Sequence, residues 1–178
     1  LMIDILRDQR VSTDEMLQVA LEGASRFPTY SEIYYHATRA FGVLSRKPYD
    51  DLEALANAAV EKTKPALGDE MYARIYWAAT QSIVDINEIG TLKWNWERMK
   101  SSMNTITTRY PVQWNIQNFA MLSCLVNDSA ATKKFMNMAK GIPLARVWSQ
   151  REFFDACRTL AEAPVQTGHP ETRKASAP

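Results

Sequence analysis

A chain of 178 residues is one domain or a domain and a half, long enough to bury a core without a disulfide or a metal to staple it. A formal net charge of +1 argues against a general nucleic-acid binder, which would carry a concentrated basic face. Two cysteines, Cys124 and Cys157, do not make a disulfide framework, and the longest apolar run, residues 119–126, is far too short to span a bilayer. No basic start followed by an apolar stretch marks a signal peptide. The expectation is therefore a cytoplasmic protein with buried, unpaired thiols in a reducing compartment. A chain that opens Leu1-Met2 also reads as a portion of a longer one.

Residues 2–7 suit a short helix or the end of one. Ser12 followed by Glu15 is a capping box, opening a helix with Met16, Leu17, Ala20, Leu21 and Ala24 on one face. Thr29 and Glu32 repeat that pattern ahead of Ile33, Tyr34, Ala37, Ala40, Phe41 and Leu44. Asp50 and Asp51 start a third helix, with Leu52, Leu55, Ala56, Ala59 and Val60 inward and an end near Pro65 and Gly68. The helix over residues 68–85 is apolar almost all round, with only Glu70, Arg74, Gln81 and Asp85 as a thin polar strip. Such a helix is buried on several sides, so others must pack around it.

After a loop near Gly90, residues 94–109 carry Trp96, Met99, Met103 and Ile106 at helical spacing, and Pro111 resets the chain. The next helix covers residues 112–126, and Asn127-Asp128-Ser129 supplies a turn and an N-cap for a short one burying Ala131, Phe135 and Met138. A last helix, residues 150–163, buries Phe153, Phe154, Cys157, Leu160 and Ala161. No stretch shows the alternation of a half-buried strand. The expected fold is all-α, with seven or eight helices stacked as antiparallel hairpins over a single domain, residues 1–163, followed by a flexible tail, residues 164–178.

Between Trp96 and Pro143 the order helix, Pro turn, helix, Asn-Asp turn, helix resembles a tetratricopeptide unit. Ala131, Phe135 and Pro143 fall at its small, aromatic and terminal proline positions, and Phe119-Ala120 lies near its small contact position. The segments Glu70-Met71-Tyr72-Ala73-Arg74-Ile75-Tyr76-Trp77, Trp96-Glu97-Arg98-Met99-Lys100, Arg109-Tyr110-Pro111, Trp114-Asn115-Ile116-Gln117-Asn118-Phe119-Ala120 and Cys124-Leu125-Val126-Asn127-Asp128 resemble a bacterial family of uncharacterised function, usually described as tetratricopeptide-like. The resemblance implies a right-handed α-superhelix and a bacterial source. It brings no catalytic residues and no cofactor.

Catalytic chemistry has little to stand on. The two histidines, His36 and His169, lack the ligand spacing of a metal site, apart from Glu32 one turn before His36. Both cysteines sit in apolar helical stretches, where a thiol is inert. The six glycines are scattered singly, so no phosphate loop exists. Asp50-Asp51 and Asp69-Glu70 sit at helix starts, where the dipole explains them. The function expected is a non-enzymatic module that binds a protein or peptide, without catalytic residue, metal, cofactor, nucleic acid or membrane span. Its candidate contact residues are Tyr34, Tyr72, Arg74, Tyr76, Trp114, Asn115 and Asn118, because aromatic and arginine side chains carry interface energy. Arg74, on a largely apolar helix, needs a carboxylate, either Glu70 at i−4 or an acidic group on a ligand. The competing readings are an enzyme with a helical pocket around Arg74 and His36, and the C-terminal accessory part of a longer chain.

Overall fold

The computed structural model describes residues 2–45, 48–81, 89, 92 and 94–163, leaving aside the side chains of residues 43, 44 and 48. These residues form nine helices and no strand: α1 (Met2–Asp8), α2 (Thr13–Arg26), α3 (Glu32–Leu44), α4 (Pro48–Leu67), α5 (Glu70–Thr80), α6 (Trp96–Arg109), α7 (Gln113–Leu125), α8 (Ser129–Met138) and α9 (Arg151–Glu162). The all-α expectation holds. The count exceeds seven or eight because residues 2–8 form a helix of their own. The expected extension of α5 to Asp85, the Gly90 loop and the tail over residues 164–178 lie outside the described residues.

Local chemistry sets most boundaries. Ser12 Oγ accepts from the Glu15 amide at 3.2 Å and starts α2. Asn95 Oδ1 does the same for α6, and Asp128 Oδ1 for α8, at 3.0 and 2.9 Å. The capping role expected of Thr29 is not taken: α3 begins after Ser31, itself in helical conformation and without a side-chain cap. Pro48 occupies the first position of α4, where its fixed φ suits the helix and its missing N–H costs nothing. That helix runs through Pro65 to Leu67. Pro65 is exposed and lies in the last turn, where it removes one intrahelical hydrogen bond just before the helix ends. Gly68, at φ +60°, then takes the left-handed conformation that ends the helix.

α5 packs against α3, α4 and α6, as its nearly all-round apolarity requires. Met71, Tyr72, Ala73, Ile75, Tyr76 and Ala79 are all buried on it. The inward set of α4, Leu52, Leu55, Ala56, Ala59 and Val60, is buried in full. α7 is buried from Ile116 to Ser123 and packs chiefly on α8, with α9 covering both. Arg98 of α6 lies 4.3 Å from the Tyr72 ring centroid and donates to Asn57 Oδ1 at 2.5 Å, tying α6 to α5 and α4.

The cysteines are not free thiols. Cys124, at the end of α7, and Cys157, in the middle of α9, form a disulfide with their Cα atoms 5.5 Å apart. Apolar surroundings suggested inert sulfhydryls. The same apolar faces bring α7 and α9 together and set the two sulfurs against each other.

Candidate functional site

The tight connection through Gly68 and Asp69 puts Glu70 in the first turn of α5 and buries its side chain completely. The polar strip read from the sequence is at this residue interior. A buried carboxylate requires cations, and two are supplied. Arg74, one turn along α5, approaches Oε2 at 3.1 Å, and Arg109, the last residue of α6, approaches Oε1 at 2.7 Å. The second contact is ionic only, since Oε1 has no donor in hydrogen-bonding alignment. Arg109 also donates to the Ala66 carbonyl at 3.3 Å, which fixes the end of α6 to the end of α4. Two guanidinium groups against one carboxylate leave one unit of positive charge.

Arg74 is about a quarter exposed, at 26%. Its guanidinium lies 5.4 Å from the Tyr110 ring centroid and beside the Tyr35 side chain. Burial alone would lower its pKa; Tyr35 and Glu70 reverse that and hold it above its ordinary value. Arg74 Nε has no hydrogen-bond partner.

Arg74 lines a cleft of about 200 Å³ between α3, α5 and α7. Tyr35 forms the α3 side, Trp77 continues the α5 side, and Trp114, Asn115 and Asn118 form the α7 side, over Ile106 and Phe119. The Trp77 and Trp114 rings meet edge to face, centroids 6.2 Å apart. The Trp77 indole nitrogen is buried without an acceptor. Asn115 donates to the Tyr110 carbonyl at 3.0 Å and Asn118 to the Trp114 carbonyl at 2.7 Å, so each keeps its amide oxygen and a second amide N–H. The first turn of α7 borders the cleft, and its N-cap, Val112, gives no capping side chain.

Four of the seven candidate residues, Arg74, Trp114, Asn115 and Asn118, thus meet in one place. The three tyrosines do not join them. Tyr72 and Tyr76 are buried and both donate to Glu53 Oε2, Tyr72 at 2.9 Å. The Tyr72 hydroxyl also accepts from the Asn95 amide at 2.8 Å, so α4, α5 and the start of α6 share one hub. Burial, then Glu53, pushes Tyr72 up to about 12 and Tyr76 higher. Tyr34 is fully buried, its hydroxyl unpartnered and its pKa raised by burial to about 12.

Tyr35 and Trp77, which also line the cleft, are not among the seven candidate contact residues. Trp77 stands at i+3 from Arg74 and so shares its face, a signal that was available. Nothing in the sequence pointed to Glu53. His36 lines a different cleft, with Met2, Ile3 and Ile33, and its Nδ1 lies 2.9 Å from Asp4 Oδ1. That hydrogen bond holds the Asp4 carboxyl below its ordinary value. Arg74 and His36 therefore do not share a pocket. His169 lies outside the described residues. Among the described residues no group of three or more His, Cys, Asp or Glu side chains could hold a metal ion, and no helix is long and apolar enough to cross a membrane.

The chain matches no family model, no curated protein and no solved structure.

Proposed function

We propose that this protein is a non-enzymatic, tetratricopeptide-like module of bacterial type that binds a protein or peptide partner in the cleft between α3, α5 and α7. The observation that carries the reading is the cleft itself. Helices distant in sequence bring to it two indole rings, a tyrosine and a guanidinium, with two N–H groups unengaged. Rigid aromatic walls with a few unsatisfied polar groups are what recognition of a peptide side chain uses. The repeat architecture draws support from packing at second-neighbour spacing: α1 on α3, α2 on α4, α3 on α5 and α7 on α9. Passing from that architecture to recognition is an argument by analogy. The Cys124–Cys157 bridge favours oxidising surroundings over the cytoplasm, because such bonds persist where thiols are not kept reduced.

The test is selection from a displayed library of random linear peptides with the wild-type chain and with Asn115→Phe, which fills the cleft from α7. Enrichment with the first and its loss with the second is the expected result. Equal enrichment by both chains, or none with either, rejects the reading.

A further inference from the structure

We infer that the cleft between α3, α5 and α7 receives a carboxylate group of its partner, with Arg74 as the charge partner and the Trp77 indole N–H as a second donor. The inference rests on the binding-module reading above and specifies what that module recognises.

Charge is the first argument. Glu70 is fully buried behind the cleft and already shared between Arg74 and Arg109, so the site keeps a net positive charge. Donor inventory is the second. Arg74 Nε and Trp77 Nε1 are both buried without an acceptor, an arrangement that native structures seldom leave unused. The first turn of α7 adds the positive end of a helix dipole whose cap residue, Val112, supplies no acceptor. The Arg74 guanidinium, the Trp77 indole and the start of α7 all belong to residues that line or border one cleft, and each favours an anion.

The rest of the lining chooses among anions. A phosphate near neutral pH carries about −1.5 to −2 charge, more than one excess cation neutralises. A carboxylate carries a single charge and accepts from a guanidinium and a second N–H together. Asn115 and Asn118 each spend one amide N–H on a backbone carbonyl, of Tyr110 and Trp114 respectively, and keep the amide oxygen as an acceptor beside a second N–H. Acceptors beside an anion site match the amide N–H groups that accompany a carboxylate in a peptide. A volume of about 200 Å³ holds one residue rather than an extended ligand. The carboxylate has two possible sources, the chain terminus of the partner or an Asp or Glu side chain.

The experiment is an NMR titration of uniformly ¹⁵N-labelled protein, following the indole N–H signals of Trp77 and Trp114 and the side-chain amide of Asn118. The probes are acetyl-Gly-Leu with a free terminus, its C-terminal amide, acetyl-Gly-Glu-Leu-amide and inorganic phosphate. Movement of these signals with the free dipeptide and not with its amide assigns the chain terminus; movement with the glutamyl peptide assigns the side chain; either supports the inference. Arg74→Gln is expected to weaken the responding probe roughly tenfold or more, and Trp77→Phe several-fold, as loss of hydrogen bonds to a charged group does. Because Arg74→Gln also disturbs Glu70, Trp77→Phe, which leaves both Glu70 contacts in place, is the second handle. Unchanged affinity in both variants, or response to phosphate alone, overturns the inference. Library peptides that bind in the cleft yet carry no acidic group also overturn it, while leaving the module reading intact. Failure of every peptide, acidic or not, rejects both.

Discussion

Glu70 is held at one oxygen by its own helix and at the other by the end of the next, so its three-membered set is unequal under mutation. Glu70→Ala strands two guanidinium groups, and we expect a loss of about 3 kcal/mol, the low end for a broken buried pair because both arginines partly reach water. Arg74→Ala leaves Glu70 with Arg109 and should cost less, about 1–2 kcal/mol. Urea denaturation of the two variants checks the order, and a costlier Arg74→Ala contradicts it. A second residue-scale consequence concerns the buried tyrosines. Their folded pKa values lie above the unfolded value, so their contribution to stability is complete below about pH 10 and drains away as pH climbs toward the folded values. Of seven tyrosines, Tyr34, Tyr72 and Tyr76 should ionise last in an alkaline absorbance titration. A single transition near pH 10 with the fold intact would count against this assignment.

Asp128 shows how one side chain organises several elements. It caps α8, accepts from the Trp96 indole at 2.9 Å and lies 3.2 Å from Lys100 Nζ, joining α6 to α8. Burial opposes its ionisation, but the Ala131 amide, Trp96 and Lys100 outweigh it and keep its pKa below 3.8. Because the folded value is depressed, the stabilisation is present above the unfolded pKa and vanishes as pH falls through the folded one. Stability curves of wild type and Asp128→Asn should differ at neutral pH and converge below about pH 4. Parallel curves down to pH 2 would exclude this role. Helices were the legible part of the chain, and for local reasons. Ser12 and Asp128 announced their caps, and the spacing of Leu52, Leu55, Ala56, Ala59 and Val60 announced a buried face. Thr29 misled because Ser31, two residues on, continues the turn into α3. Register between helices leaves no such mark. An i,i+4 Glu–Arg pair reads the same on a wet face as on a dry one, so the burial of Glu70 was hidden. So were the meeting of Tyr72 and Tyr76 at Glu53 and the pairing of two cysteines separated by 33 positions.

At the scale of the molecule, the Cys124–Cys157 bond binds the last described helix to the body of the fold. In the chain-entropy account a loop of this length stabilises by about 3–4 kcal/mol, so Cys157→Ser or reduction should lower the midpoint of thermal unfolding measurably. No change on reduction, with the bond verified beforehand by mass spectrometry, would refute that contribution. The candidate cleft was half legible for the same reason the helices were. Arg74, Trp114, Asn115 and Asn118 were marked by type, whereas the exclusion of Tyr34, Tyr72 and Tyr76 depends on which way α3 and α5 turn. The bridge has one more consequence. It closes residues 124–157 into a covalent ring that contains all of α8 and the exposed stretch around Ile142, at 86% the most exposed large apolar side chain among the described residues. A protease that cuts once near Ile142 therefore yields a chain with two new ends and no lost piece. Such a nicked protein should migrate as a single species on a non-reducing gel and fall into two fragments only when thiol is added.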